Sequence, residues 1–115
     1  MNFRLLRFLA LSVVANQATV TGIRRPLGYQ QITVLTSSTA LTLPAVIAGY
    51  NVGYVVIQNS GSAAVRWRDD GVAPTAGVGM TIPVGGELDY VGDFKALRFI
   101  QVGATGTLDV SYYAP

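Results

Sequence analysis

The chain contains no cysteine and no histidine. The first absence removes disulfides, thiolate nucleophiles and cysteine-ligated metals together, and it leaves the redox compartment open. The second removes the commonest general base near neutral pH and the commonest zinc ligand. Charge is scarce too: Asp, Glu, Lys and Arg make up 12% of the 115 residues, and Lys95 is the only lysine. A serine nucleophile would need that lysine or a carboxylate as its helper. Carboxylates alone can serve glycosidases, but the shortage of bases and nucleophiles leads to the expectation of a non-enzymatic protein. No catalytic residue, cofactor or metal is expected. Apolar runs stay well short of the ~20 residues that a membrane-spanning helix requires, so no membrane partner is expected.

What the chain does have is apolar surface: half of its residues are hydrophobic. A single domain of this size buries roughly two-thirds of the surface its unfolded chain exposes, and disorder of the whole chain is not expected. The net charge of +2 hides an asymmetry. Arg4, Arg7, Arg24 and Arg25 lie in the first 25 residues, which contain no acid. The remainder sets Arg66, Arg68, Lys95 and Arg98 against Asp69, Asp70, Glu87, Asp89, Asp93 and Asp109. A basic arm on a mildly acidic body suggests attachment to an acidic partner surface. Nucleic acid is not the expected partner, because the body itself is slightly acidic.

The opening segment, MNFRLLRFLALSVVANQATVTGIRR, resembles a secretory signal, with Val13-Val14-Ala15 as a small-residue cleavage site. Ser12, Asn16, Gln17 and Thr19 interrupt that pattern, and the expectation is an arm retained in the mature protein. Leu5, Leu6, Phe8, Leu9, Leu11, Val13 and Val14 would spread around a helix instead of forming one stripe, so both an extended and a helical arm stay open. The arm is taken as residues 1–28. Arg4, Arg7, Phe8, Leu9, Arg24 and Arg25 are its candidate partner-binding residues.

Residues 29–115 read as strands. Short β-rich runs alternate with Gly, Pro, Ser and Asn at the 8–12-residue spacing of an all-β sandwich or barrel. Strands are expected near 29–36, 40–43, 53–59, 63–69, 80–84, 86–91, 96–102 and 107–113. The fold class is therefore all-β, an antiparallel sandwich of about eight strands, jelly-roll-like. Period-2 alternation assigns faces: Val65 and Trp67 oppose Arg66 and Arg68, and Leu97 and Phe99 oppose Arg98 and Ile100. Leu108, Val110 and Tyr112 oppose Asp109, Ser111 and Tyr113. YVVIQN is apolar on both sides, so that strand should be central or covered. NSGSA is expected to close a hairpin.

RWRDDGVAPTAGVGM (66–80) is the stretch that looks most like chemistry. A calcium loop would need ligands where Ala73, Pro74, Thr75 and Ala76 stand, and the glycines do not open a helix as a phosphate loop would. Asp-Gly is a turn former, and Asp69 and Asp70 have Arg66 and Arg68 beside them. The expectation is a scaffold turn with local ion pairs. Tyr50, Tyr54 and the aromatic set Trp67, Tyr90, Phe99, Tyr112 and Tyr113 are expected in the core or at a subunit interface. A sugar-stacking platform is the alternative.

The run VRWRDDGVAPTAGVGMTIPVGGELDYVGDFKALRFIQVGATGTLDVSYY resembles a class of small β-sandwich structural proteins of tailed bacteriophages. In that class a strand ends in an R-D-D-G-like turn and leads to P-T and a glycine-methionine pair. A glycine-rich turn, an A-L-R-F-I-like strand and a closing V-S-Y-Y strand follow. The likeness covers about residues 50–113 and does not reach residues 1–28. It implies a virion protein, assembled in the bacterial host cytoplasm and located on the capsid surface. There it would act as a decoration (cement) protein that binds and stabilises the shell of major capsid protein, with a homotrimer as the implied oligomer. A tail, baseplate or fibre-base component that binds host glycan is the alternative. The resemblance carries no catalytic residues over.

Overall fold

A computed structural model of the chain describes residues 24–45 and 51–115. The described residues are all-β, with no helix and eight strands. These are β1 (Arg25–Ile32), β2 (Thr39–Ala40), β3 (Tyr54–Asn59), β4 (Val65–Arg68), β5 (Met80–Ile82), β6 (Glu87–Tyr90), β7 (Arg98–Gln101) and β8 (Leu108–Ala114). They form two four-stranded antiparallel sheets, ordered β1-β8-β3-β6 and β2-β7-β4-β5. The pairs β1·β8, β2·β7, β3·β6 and β4·β5 are those of one long antiparallel ribbon, folded over on itself and closed by β3·β8 and β4·β7. That connectivity is a jelly roll.

Each expected strand exists, although the bounds move where local chemistry intervenes. β1 starts at Arg25 because the backbone of residues 25–32 has a partner in β8, with a bulge between Pro26 and Gly28. β2 keeps only two residues. Beyond it, the Thr42 N–H donates to the Gln30 side chain at 3.0 Å and not to a neighbouring strand. Leu41 and Leu43 still pack on the core. β5 stops before Pro83, which has no N–H to give.

The expected hairpin at NSGSA is not one. Strands β3 and β4 lie in different sheets, so Asn59–Ala63 forms a corner between layers. Asn59 holds that corner from inside. Its side-chain NH2 donates to the carbonyls of Ala63 (2.9 Å) and Ile82 (3.0 Å), and its Oδ1 accepts from the Gly61 N–H at 3.0 Å. Its backbone exchanges bonds of 2.9 Å with Gly85 and Gly86. A Cβ on Gly61 would stand 2.5 Å from the Thr107 nitrogen and 2.7 Å from the Thr105 carbonyl, so only glycine lets the corner lie this close to the β7–β8 connection.

The core lies between the sheets, where the alternating sides of the strands meet. β8 alternates buried and half-buried residues along its length, and Leu108, Val110 and Tyr112 point inward. Val55 and Ile57 from β3 share that layer, opposite Val65, Ile82 and Phe99 from the other sheet and Leu97 just before β7. Each such side chain contributes roughly 1.5–3 kcal/mol by leaving water. β3 sits in the middle of its sheet, as a strand apolar on both sides should. The Tyr112 hydroxyl, deep in the core, donates to the Gln30 Oε1 at 2.7 Å, so the buried phenol has a partner. Burial pushes its pKa up to about 12.

Candidate interaction surface

Among the described residues, β4 and β5 are the only strands adjacent in both sequence and sheet, and residues 69–79 connect them. This loop holds the two aspartates, and the structure separates their roles. Asp70 pairs with Arg68, whose Nε donates to Oδ1 at 3.0 Å while Nη2 meets Oδ2. The guanidinium holds the Asp70 carboxyl below the usual carboxylate range. Asp69 has a different partner: its Oδ2 accepts from the Tyr90 hydroxyl at 2.7 Å. Burial first, and then that bond to an anion, push the Tyr90 phenol up to about 12.

Arg66 forms no ion pair with either aspartate. It reaches over the loop and donates to the carbonyls of Ala76 (3.1 Å) and Gly79 (2.9 Å) and to the Thr81 hydroxyl (3.1 Å). The expected local ion pairing thus holds for Arg68–Asp70 and not for Arg66. Inside the loop Thr75 and Val78 exchange two backbone bonds of 3.0 and 3.1 Å, and Pro74 is buried. The result is a braced loop. It presents Val72 and Val78, each 53% exposed, and the adjoining strand presents Met80 at 61%. Val78 and Met80 border a hollow of about 360 Å³ together with Arg68, Asp69 and Asp70. Apolar side chains on a fixed backbone, rimmed by an ion pair, are the makings of a protein contact surface.

A second surface lies on the outward face of the sheet β1-β8-β3-β6. The register sets its residues in rows across the strands. One row runs Tyr29, Ser111, Val56, Asp89, and the next runs Gln31, Asp109, Gln58, Glu87. A third brings Tyr113 beside Tyr54, with ring centroids 6.0 Å apart and planes tilted by 53°. The Arg24 guanidinium lies 3.6 Å above the Tyr54 ring. Tyr29 and Gln31 both donate to Asp109 Oδ1 at 2.9 Å, and Gln58 donates to Glu87 at 3.1 Å. Hydrogen bonds from Ser60, Gln31 and Tyr29 hold the Asp109 carboxyl below its ordinary value. Asp89 is displaced the other way, by partial burial and by the neighbouring Glu87.

The sequence-predicted residues distribute as follows. Arg4, Arg7, Phe8 and Leu9 lie outside the described residues, as does Tyr50, so the conformation of the arm before Arg24 is outside them too. Arg24 stacks on Tyr54, and Arg25 pairs with Ala114 at the start of β1. Phe99 and Tyr112 are enclosed in the core. Tyr90 lies between Trp67 and Phe94, edge-on to both, with ring centroids 6.0 and 5.7 Å away. Tyr113 stands on the outward face, half-buried. Tyr29, 66% exposed, and Asp109 were not singled out from sequence. The signal was there in part, because Tyr29 and Gln31 alternate with Gln30 and Ile32 as an outward pair would.

Among the described residues, no group of three or more acids could hold a metal ion, and no helix is long and apolar enough to cross a membrane. Comparison with protein-family models, curated proteins and solved structures finds no match for this chain.

Proposed function

We propose that this protein is a non-enzymatic structural component of a tailed-phage virion, a capsid decoration protein that binds and stabilises the shell of major capsid protein. The observation that carries the reading is the braced β4–β5 loop. It coincides with the R-D-D-G, P-T and glycine-methionine elements of the resemblance and presents Val72, Val78 and Met80 to a partner. Because Arg66 and the Thr75–Val78 bridge already fix the loop, docking costs little ordering entropy. The binding energy does the work, clamping neighbouring capsid subunits against the pressure of packaged DNA.

In this reading the basic arm meets acidic capsid surface, and a homotrimer at a symmetry axis multiplies each contact. The rim charges tune the rate of encounter, while the apolar centre holds the complex together.

The test is copy number, measured by quantitative mass spectrometry of purified virions against the major capsid protein. A ratio near one per capsid subunit, or a simple symmetric fraction of it, is expected. A handful of copies per particle would sink the decoration reading and move the protein to the tail or a fibre base. Binding to particles lacking the protein resolves the parts. Met80→Asp with Val78→Asp should weaken it at least tenfold, and removal of residues 1–23 reports the share of the arm.

A further inference from the structure

We propose that the outward face of the sheet β1-β8-β3-β6 is a binding site for a neutral saccharide. This goes beyond capsid attachment and uses a different surface from the braced loop. All three rows of the sheet contribute to it. A hollow of about 190 Å³, the scale of one sugar ring, is lined by Tyr29, Val56, Gln58, Asp109, Ser111 and Tyr113. Those six side chains divide into an apolar part and a polar part. Tyr29, Tyr113 and Val56 offer rings and a methyl floor to the C–H face of a pyranose. Asp109, Gln58 and Ser111 offer a carboxylate, a carboxamide and a hydroxyl to its ring hydroxyls.

The groups are set before any ligand arrives. Tyr29 is 66% exposed, yet its hydroxyl is tied to Asp109 at 2.9 Å, so its ring is held as a plate beside the hollow. The same Asp109 oxygen accepts from Gln31, and Gln58 is held by Glu87 at 3.1 Å. An ionised carboxylate is the strongest acceptor a sugar hydroxyl can meet, and preorganised partners cost little to order.

Charge selects among sugars. Asp109, Glu87 and Asp89 stand on this face, with Arg24 as the cation seen at its Tyr54 edge. Sialylated, uronic or phosphorylated saccharides would meet three carboxylates set against one guanidinium among the described residues, whereas uncharged hexoses and N-acetylhexosamines carry no charge to be repelled. A single shallow subsite supports affinities on the order of millimolar per site, which repeated copies on a particle would raise by avidity.

The test uses the full chain on immobilised oligosaccharides: neutral hexose and N-acetylhexosamine oligomers, with sialylated and uronic ones as charged comparators. The best neutral ligand is then titrated by saturation-transfer NMR. Saturable binding of a neutral saccharide is expected, together with at least tenfold poorer binding of the charged comparators. Tyr29→Ala, which removes the plate, and Ser111→Tyr, which fills the hollow, should each weaken binding at least tenfold. Both variants are checked for unchanged circular dichroism and melting. No neutral saccharide bound, or equal binding by folded variants, would overturn the proposal. So would a wild-type oligomer that binds no sugar and dissociates on Tyr29→Ala, because the face would then be a subunit interface. Copy number in the virion is measured independently, so either proposal can fail while the other stands.

Discussion

The hydroxyl of Tyr90, the last residue of β6, donates to the carboxylate of Asp69, the first residue after β4, at 2.7 Å. These strands belong to different sheets, so one side-chain bond ties the layers together where the braced loop begins. The Tyr90 ring is fixed edge-on between Trp67 and Phe94, which leaves the hydroxyl little freedom to choose another partner. Tyr90→Phe keeps the ring packing and removes only the bond, at a cost of about 1–2 kcal/mol. Asp69→Asn should cost a similar amount, and the double variant less than the sum, in urea unfolding followed by tryptophan fluorescence.

The same tyrosine gives an alkaline signature. Tyr90 and Tyr112 have their phenols pushed up to about 12, above the ordinary 10.0. A raised folded value means that the neutral phenol stabilises the fold below pH 10.0, and that the contribution is lost as pH rises through about 12. Tyr29 is also displaced upward by its hydrogen bond to Asp109, but it is exposed, so spectrophotometric titration should show two buried tyrosines, Tyr90 and Tyr112, ionising late and with unfolding. Tyr90→Phe should remove one of them and leave the other. A single transition near 10 for all tyrosines would contradict the burial of Tyr112.

Among the described residues, Asn59 is the polar side chain enclosed in the core. It is 2% exposed and serves two carbonyls and one N–H around the corner between sheets. Asn59→Ala strands those three backbone groups away from water and should cost about 2–4 kcal/mol. Asn59→Asp should be worse, because a carboxylate would face the carbonyls of Ala63 and Ile82 with no hydrogen to give. Urea midpoints for the two variants rank them directly, and an Asn59→Asp protein as stable as wild type would refute the corner's donor requirement.

Two kinds of residue separate what the sequence discloses from what it hides. The inward sets Val55-Ile57, Val65-Trp67, Leu97-Phe99 and Leu108-Val110-Tyr112 follow from alternation, because period-2 patterning and burial are one fact in a two-sheet fold. Alternation is local, though, and cannot say which sheet a strand joins. That is why NSGSA reads as a hairpin when it is a corner. Asn59 continues the inward series of Val55 and Ile57, and Gln30 shares the inward side with Ile32. A polar residue at an inward position was thus the sign of a buried hydrogen-bonding role. Its partners, Ile82 in one case and Tyr112 in the other, are 23 and 82 residues away, so only the folded chain identifies them. Arg66 misled for the same reason. Nearby aspartates suggested ion pairs, but the strand's pleat aims its guanidinium at carbonyls 10 and 13 residues on.

Arg66 should therefore matter more for loop order than for charge. Arg66→Met removes three donor contacts while keeping the length of the side chain, and should destabilise the fold by about 1–2 kcal/mol. Hydrogen exchange gives the sharper reading. The amides of Thr75 and Val78, paired with each other, should lose protection in Arg66→Met while those of β8 keep theirs. Arg66→Lys should restore little, since one ammonium cannot reach three acceptors in the fork geometry of a guanidinium. Equal protection at Thr75 and Val78 in all three proteins would show that the loop holds itself.

Acid should act on the outward sheet face through two aspartates with opposite signs. Hydrogen bonds from Ser60, Gln31 and Tyr29 depress the Asp109 carboxyl in the folded chain. Its contribution is present above the ordinary value of 3.8 and is lost as pH falls through the lowered one. Asp89 is raised by partial burial and by Glu87, so its protonated form suits the fold, and its charge is a burden once pH exceeds the raised value. Asp109→Asn should therefore lower the melting temperature at pH 7, with the gap closing as pH falls below 3.8. Asp89→Asn should raise it by a small amount at pH 7, well under ~1 kcal/mol for so exposed a pair, with that gain also fading in acid. Melting curves by circular dichroism at pH 7 and pH 3 separate the two. Were both variants to shift stability in the same direction at pH 7, the opposed roles assigned to the two carboxylates would be wrong.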